Sequence, residues 1–156
     1  MAVTGVEGEA RKNVLEALAL PQGLVKDGKA DRLWLERFAR QAGGKVAAAL
    51  EPFGFYSARA AIRVENPEAD RYILRVSVEP GRPVVLTDVR VAVTGAGATE
   101  EALLALADSF PLKAGDVLLH QPYEQARQNL QRLAHDLGYL DADYPVHEIR
   151  INAEAT

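Results

Sequence analysis

Three histidines, two closely spaced aspartates and two glycine-rich loops are the residues from which this chain could build chemistry. His120, His135 and His147 are scattered, and with no cysteine in the sequence neither a thiolate metal site nor a disulfide framework can form. Asp141 and Asp143 stand two apart, as in a calcium loop, but the glycine and distal glutamate of such a loop are missing. Gly95-Ala96-Gly97 supplies two glycines of a dinucleotide-binding turn. Glu100 takes the place of the third, and Glu100 with Glu101 would repel phosphate. Gly5-Val6-Glu7-Gly8 has the spacing of a KH-type RNA-binding loop, yet it follows a strand candidate and carries an acid where a backbone phosphate would lie. No nucleophile, base and oxyanion set can be assembled. No catalytic residue, cofactor or metal site is expected from these residues.

Composition narrows the partners. The 156 residues are 48% apolar and 26% charged, as in a globular protein, with room for one ordinary domain or two small ones. Formal net charge is −4, the pI is near 5.4, and no block of like charge is present, which argues against nucleic acid. No run approaches the roughly 20 apolar residues of a membrane-spanning helix. The segment MAVTGVEGEARKN lacks the basic stretch and apolar core of a signal peptide, so an exported protein would be represented here by a mature portion.

The elements that must position any site are set out twice. A helix read from Asp31, its N-cap, carries the stripe Leu35, Phe38, Ala42, Val46, Ala49 and Phe53 and ends at the corner Phe53-Gly54-Phe55-Tyr56. Gly43 and Gly44 either weaken this helix or let a neighbouring backbone approach it closely. With an offset of 84 residues, Ala126, Leu130, Leu133, Leu137, Gly138 and Tyr139 repeat Ala42, Val46, Ala49, Phe53, Gly54 and Phe55. Pro122 fits the first turn of the second helix. The corners are expected to be structural: Gly54 closes a helix in the left-handed conformation, and Gly138 does so again.

Around this repeat the order reads strand, helix, helix, strand, strand, and then strand, helix, helix, strand. A short strand over Val3 to Val6 precedes a helix beginning at Gly8 and Glu9, which carries Val14, Leu15, Leu18 and Ala19 inward until Pro21 and Gly23. Leu24 to Ala30 reads as a polar connection. Ala58, Ala60, Ile62 and Val64 alternate with Arg59, Ala61, Arg63 and Glu65; after the turn at Asn66 to Asp70, Tyr72, Leu74, Val76 and Val78 alternate with Ile73, Arg75, Ser77 and Glu79. Two such strands make a hairpin. Pro80, Gly81 and Pro83 mark the junction between units, either a hinge or, as favoured here, a proline-stiffened link. Beyond it come a strand over Val89, Val91 and Val93, a helix capped by Thr99 with Leu103, Leu104, Ala107 and Phe110 inward, a connection over Leu112 to Gln121, and a last strand over about Ala142 to Asn152.

GVEGEARKNV, LEPFGFYSARAAIRV, ILRVSVEPGRPVVLTDVRVAVTGAGATEEALLAL and LKAGDVLLHQPYEQARQNLQRLAHDLGYLDADY together resemble the polypeptide-transport-associated (POTRA) domains of the BamA/TamA superfamily, above all the first two of a TamA-like arm. The resemblance covers nearly the whole chain and rests on the ordered set of segments rather than on one motif. It implies an α+β fold of tandem two-layer domains, 1–86 and 87–156, each with a three-stranded mixed sheet and two helices on one face. The second would lack its last strand, which in this fold lies mid-sheet, so residues 142 to 152 are expected to be frayed, paired irregularly or paired with another molecule.

By the same likeness the chain is a periplasmic scaffold of a Gram-negative outer-membrane protein. It would serve outer-membrane or autotransporter client polypeptides, a TamB-like periplasm-spanning partner, and its own C-terminal β-barrel, which this sequence does not contain. The family's sheet order makes Ala58 to Val64 an edge strand. Ala58, Ala60, Ala61, Ile62 and Val64 are then the candidate binding residues, with main-chain groups open to an incoming strand. The alternative is a solvated edge that Arg59 and Arg63 guard against aggregation. Two other readings remain: the POTRA arm of a two-partner secretion transporter, and a small α/β-sandwich enzyme or nucleic-acid binder, which would need a polar pocket or a basic face.

Overall fold

The computed structural model describes residues 1–20, 25–26, 29–68 and 71–151. The chain divides into two compact units, Met1–Pro83 and a second beginning at Val84. That division falls three residues before the expected boundary after Leu86. The Leu86 amide donates to the Asp116 carbonyl at 2.8 Å, and the Leu118 amide to the Val84 carbonyl at 2.9 Å, so Val84–Leu86 is tied to the second unit.

In the first unit β1 (Ala2–Thr4) and α1 (Gly8–Ala17) are followed by two short strands, β2 (Val25–Lys26) and β3 (Lys29–Ala30), which pair antiparallel. These replace the expected polar connection. The rest of that expected connection lies outside the described residues. Helix α2 (Arg32–Leu50) starts where expected, with the Asp31 carboxylate accepting the Trp34 amide at 3.1 Å. It runs unbroken through Gly43 and Gly44. A Cβ on Gly43 would lie 3.8 Å from the Ala60 carbonyl oxygen, ordinary contact, so the helix passes close over the sheet there.

The sheet is completed by β4 (Arg59–Glu68) and β5 (Arg71–Glu79), in the order β1-β5-β4. The last strand is central, parallel to β1 and antiparallel to β4. Alternation does the sorting: Leu74, Val76 and Val78 are buried while Arg75, Ser77 and Glu79 are exposed. The buried face meets Val14 of α1, Leu18 just past its end, and Leu35, Phe38, Ala42, Val46, Ala49 and Leu50 of α2. Both helices therefore lie on one side of the sheet. The Asn13 side-chain amide donates to the Ala49 carbonyl at 2.7 Å and ties the two helices together. Strand β4 continues to Glu68, past the expected turn start at Asn66, with its register shifting between Glu65 and Glu68. Pro67 sits in that irregularity, where a residue without an amide is tolerated.

The second unit packs α3 (Glu101–Asp108) against α4 (His120–Asp136). Its core gathers Ala107, Phe110, Leu112 and Leu130, with Leu86, Val89, Val91 and Val93 half-buried against them. Phe110 and Tyr123 meet edge to face at 6.2 Å. Leu112 and Leu118, assigned above to a connection, are buried anchors. Thr99 is not the cap of α3. The 3-10 turn Gly95–Gly97 and the Glu100 amide bond to the Gly97 carbonyl carry the chain one residue further, and Glu100 occupies the cap position without a side-chain bond. Leu104 and Leu137, expected to face inward, are exposed, one on the margin of a short helix and the other at the end of α4.

Two expected strands of the second unit form no strand or ladder among the described residues. Val89, Val91 and Val93 are half-buried and alternate with exposed Asp88, Arg90 and Ala92, the pattern of a strand without a hydrogen-bonded neighbour. Residues 142 to 151 likewise join no sheet, and Val146 is 77% exposed. What fixes the start of this segment is α4. The Tyr144 hydroxyl donates to the Arg127 carbonyl at 2.6 Å, the Arg127 guanidinium lies 5.5 Å from the Tyr144 ring centroid, and the Gln131 side-chain amide donates to the Ala142 carbonyl at 3.3 Å. Burial pushes the Tyr144 phenol up, against the opposing pull of Arg127. Because its folded pKa is raised, its contribution is complete below the unfolded value of about 10 and is lost as pH rises through the folded one. Tyr144→Phe should free residues 142 to 151 and erase this alkaline transition, read by amide exchange against pH. Unchanged exchange in the variant would show that the hydroxyl holds nothing.

Candidate functional site: an open sheet edge

The corner that leads into the candidate site is built the same way in both units. In the first, a 3-10 turn over Glu51–Phe53 with Pro52 inside it ends at Gly54, φ 85°. The Gly54 amide donates to the Glu51 carbonyl at 2.9 Å and the Phe55 amide to the Leu50 carbonyl at 3.3 Å. In the second, Gly138 has φ 95°, its amide donates to His135 at 2.9 Å and that of Tyr139 to Ala134 at 2.9 Å. Donors and acceptors alike keep the 84-residue offset. This paired closure satisfies the last carbonyls of each helix. Phe53 and Phe55 are half-buried, and Phe55 packs on the first core. Burial, with Glu51 nearby, raises the Tyr56 phenol.

From this corner the chain enters β4, one of the two edge strands of its sheet. Ala58 is buried, and Ala60, Ile62 and Val64 are half-buried against the core; Arg59, Ala61 and Arg63 are exposed on the opposite face. The five candidate residues thus divide, with Ala61 alone turned outward and the other four inward. Among the described residues, main-chain hydrogen bonds reach Arg59–Glu65 only from β5. Their other side is open, and it can do what an unpaired strand edge does: accept a further strand.

The junction residues lie beyond β5. Pro80 is half-buried, Gly81 has φ 74° and Pro83 is exposed. A side chain on Gly81 would run into the Ser57 hydroxyl. Pro80 also borders an open groove of about 680 Å³ beside β1 and the start of α1, walled by Val3, Val6, Ala10 and Phe55, with Glu7 and Arg11. Among the described residues no group of three His, Cys, Asp or Glu could hold a metal ion, and His120, His135 and His147 stand at the first turn of α4, at its last turn and in the irregular segment after it.

The sheet order β1-β5-β4 with two helices on one face is the arrangement the resemblance implied. A family model described as POTRA domain TamA domain 1 matches residues 1–80, just over half of the chain. The chain belongs to this family. POTRA domains are generally non-catalytic scaffolds, those of TamA are periplasmic parts of outer-membrane proteins, and their business is protein–protein interaction in outer-membrane assembly. No helix among the described residues is long and apolar enough to cross a membrane. The match ends at Pro80, the first junction proline, so the POTRA domain holds the whole β1-β5-β4 sheet and the edge strand.

Proposed function

We propose that this chain is the interaction arm of an outer-membrane β-barrel assembly factor, and that its first POTRA domain holds client or partner chains by adding their strands to β4. The clients are outer-membrane and autotransporter polypeptides, with a TamB-like partner sharing the periplasm. One observation carries the reading: over Arg59–Glu65 of β4, the longer of the sheet's two edge strands, the outward main-chain groups have no partner among the described residues. Affinity from main-chain bonds suits clients that share little sequence, since side chains need only avoid clashing.

The second unit is read as a second POTRA-like domain, supported by its helix pair, its repeated corner and the alternating burial of its Val89–Val93 segment. A strand paired to that segment would complete its sheet. Pro80, Gly81 and Pro83 act as a stiff link, two of the three having their backbone φ fixed by a ring.

A photo-crosslinking residue at Ala61 should capture an unfolded outer-membrane β-barrel precursor, while the same residue at exposed Lys12 on α1 should not. Equal capture at both positions would remove the reason for assigning the site to the edge.

A further inference from the structure

The outward face of β4 carries charge that the fold leaves unanswered. Arg59 and Arg63 are exposed, sit two residues either side of Ala61, and make no ion pair among the described residues. Arg63 lies opposite Arg75 in the ladder, a like-charge pair that weakens a sheet. Arg75 is drawn off to Glu65, its guanidinium 2.6 Å from that carboxylate, so the acid nearest Arg63 in the strand is already engaged. Arg59 lies opposite Glu79 without closing an ion pair. On a chain of formal net charge −4, Arg59 and Arg63 put two positive charges, unpaired among the described residues, on one face of an edge strand, β4.

We infer that the edge selects strands bearing carboxylates at two positions four residues apart, which fall opposite Arg59 and Arg63. The position midway meets Ala61 and accepts any small side chain. The two positions between meet Ala60 and Ile62, which are half-buried against the core, and should be apolar. The occupant is therefore an extended segment reading acid, apolar, small, apolar, acid. Period-two alternation puts both acids on one face and both apolar residues on the other. Opposite charges across a strand pair strengthen it and like charges weaken it, so the arginines act as a filter as well as an attraction.

This inference rests on β4 being the docking edge, and the test separates the two. Three peptides, Thr-Thr-Glu-Val-Ser-Val-Glu-Thr-Thr and its counterparts with both Glu replaced by Gln or by Lys, are titrated into the full chain at low salt while backbone amide resonances are followed. The expected result is perturbation confined to β4 and its neighbours. The Glu peptide should bind about tenfold tighter than the Lys peptide, an advantage that shrinks with added salt and disappears in the Arg59→Gln, Arg63→Gln double variant. Equal binding of all three peptides at β4 would overturn the charge selection and leave the edge standing. Binding elsewhere, or none by any peptide, would overturn both.

Discussion

Replacing Gly5 with alanine is expected to unfold the first unit. Gly5 follows β1 with φ 91°, a conformation L side chains rarely adopt, and an added Cβ would overlap the Val78 carbonyl oxygen of the central strand. Neither atom can yield cheaply, because both belong to main chain held in the sheet. Left-handed strain and forced displacement together amount to roughly 3–5 kcal/mol, a large share of the stability of a small domain. Gly95 provides the control. It follows a Val-Thr pair as Gly5 does and has φ 75°, but a Cβ there meets nothing within 4 Å. Gly95→Ala should therefore cost only the backbone term, about 1–2 kcal/mol. Urea melts of the two variants would decide it, and equal losses would mean that the contact with β5 is not what Gly5 is for.

Proline scanning of β4 should separate folding from docking at two adjacent residues. In an antiparallel pair, neighbouring residues send their main-chain groups to opposite sides. Of Ala61 and Ile62, one bonds β5 and the other faces the free side. Proline at the first strands a ladder carbonyl and should cost about 1–3 kcal/mol; proline at the second is tolerated on an edge and removes only an outward donor. The second variant should keep its melting temperature yet lose client capture at least tenfold, whereas the first should lose both. Ile62→Ala corrects for the side chain at that position. If the variant that stays folded captures precursor as well as the parent does, β4 is not the client's partner.

The first unit was legible because its signals are local and redundant. Strict alternation in Tyr72 to Glu79, one apolar stripe from Leu35 to Ala49 and a capping Asp31 each specify an element without outside help. The edge position of β4 is a different kind of knowledge. Nothing in Ala58 to Val64 states which side its neighbour lies on, and only the likeness to other POTRA domains supplied the order that the ladder then showed. In the second unit, Val89 to Val93 has a strand's alternation, but a strand is also a relation to a partner, which periodicity does not encode. The Tyr144 anchor escaped the reading because a side chain bonding a helix carbonyl 17 residues away leaves no spacing rule to find. Leu112 and Leu118 escaped because a lone Leu112 before Lys113 and a run of only three apolar residues, Val117 to Leu119, after Gly115 and Asp116 look like loop.

The register shift around Pro67 sets how long a client could be gripped. Only seven residues, Arg59 to Glu65, run in unbroken register with β5, about 20 Å from end to end. Since alternate residues face away from β5, three or four of them offer outward groups, each bond worth roughly 1 kcal/mol net. A handhold of that size would tether a passing chain for a moment and let it go. Its brevity suits a relay, where what is held must soon be handed on.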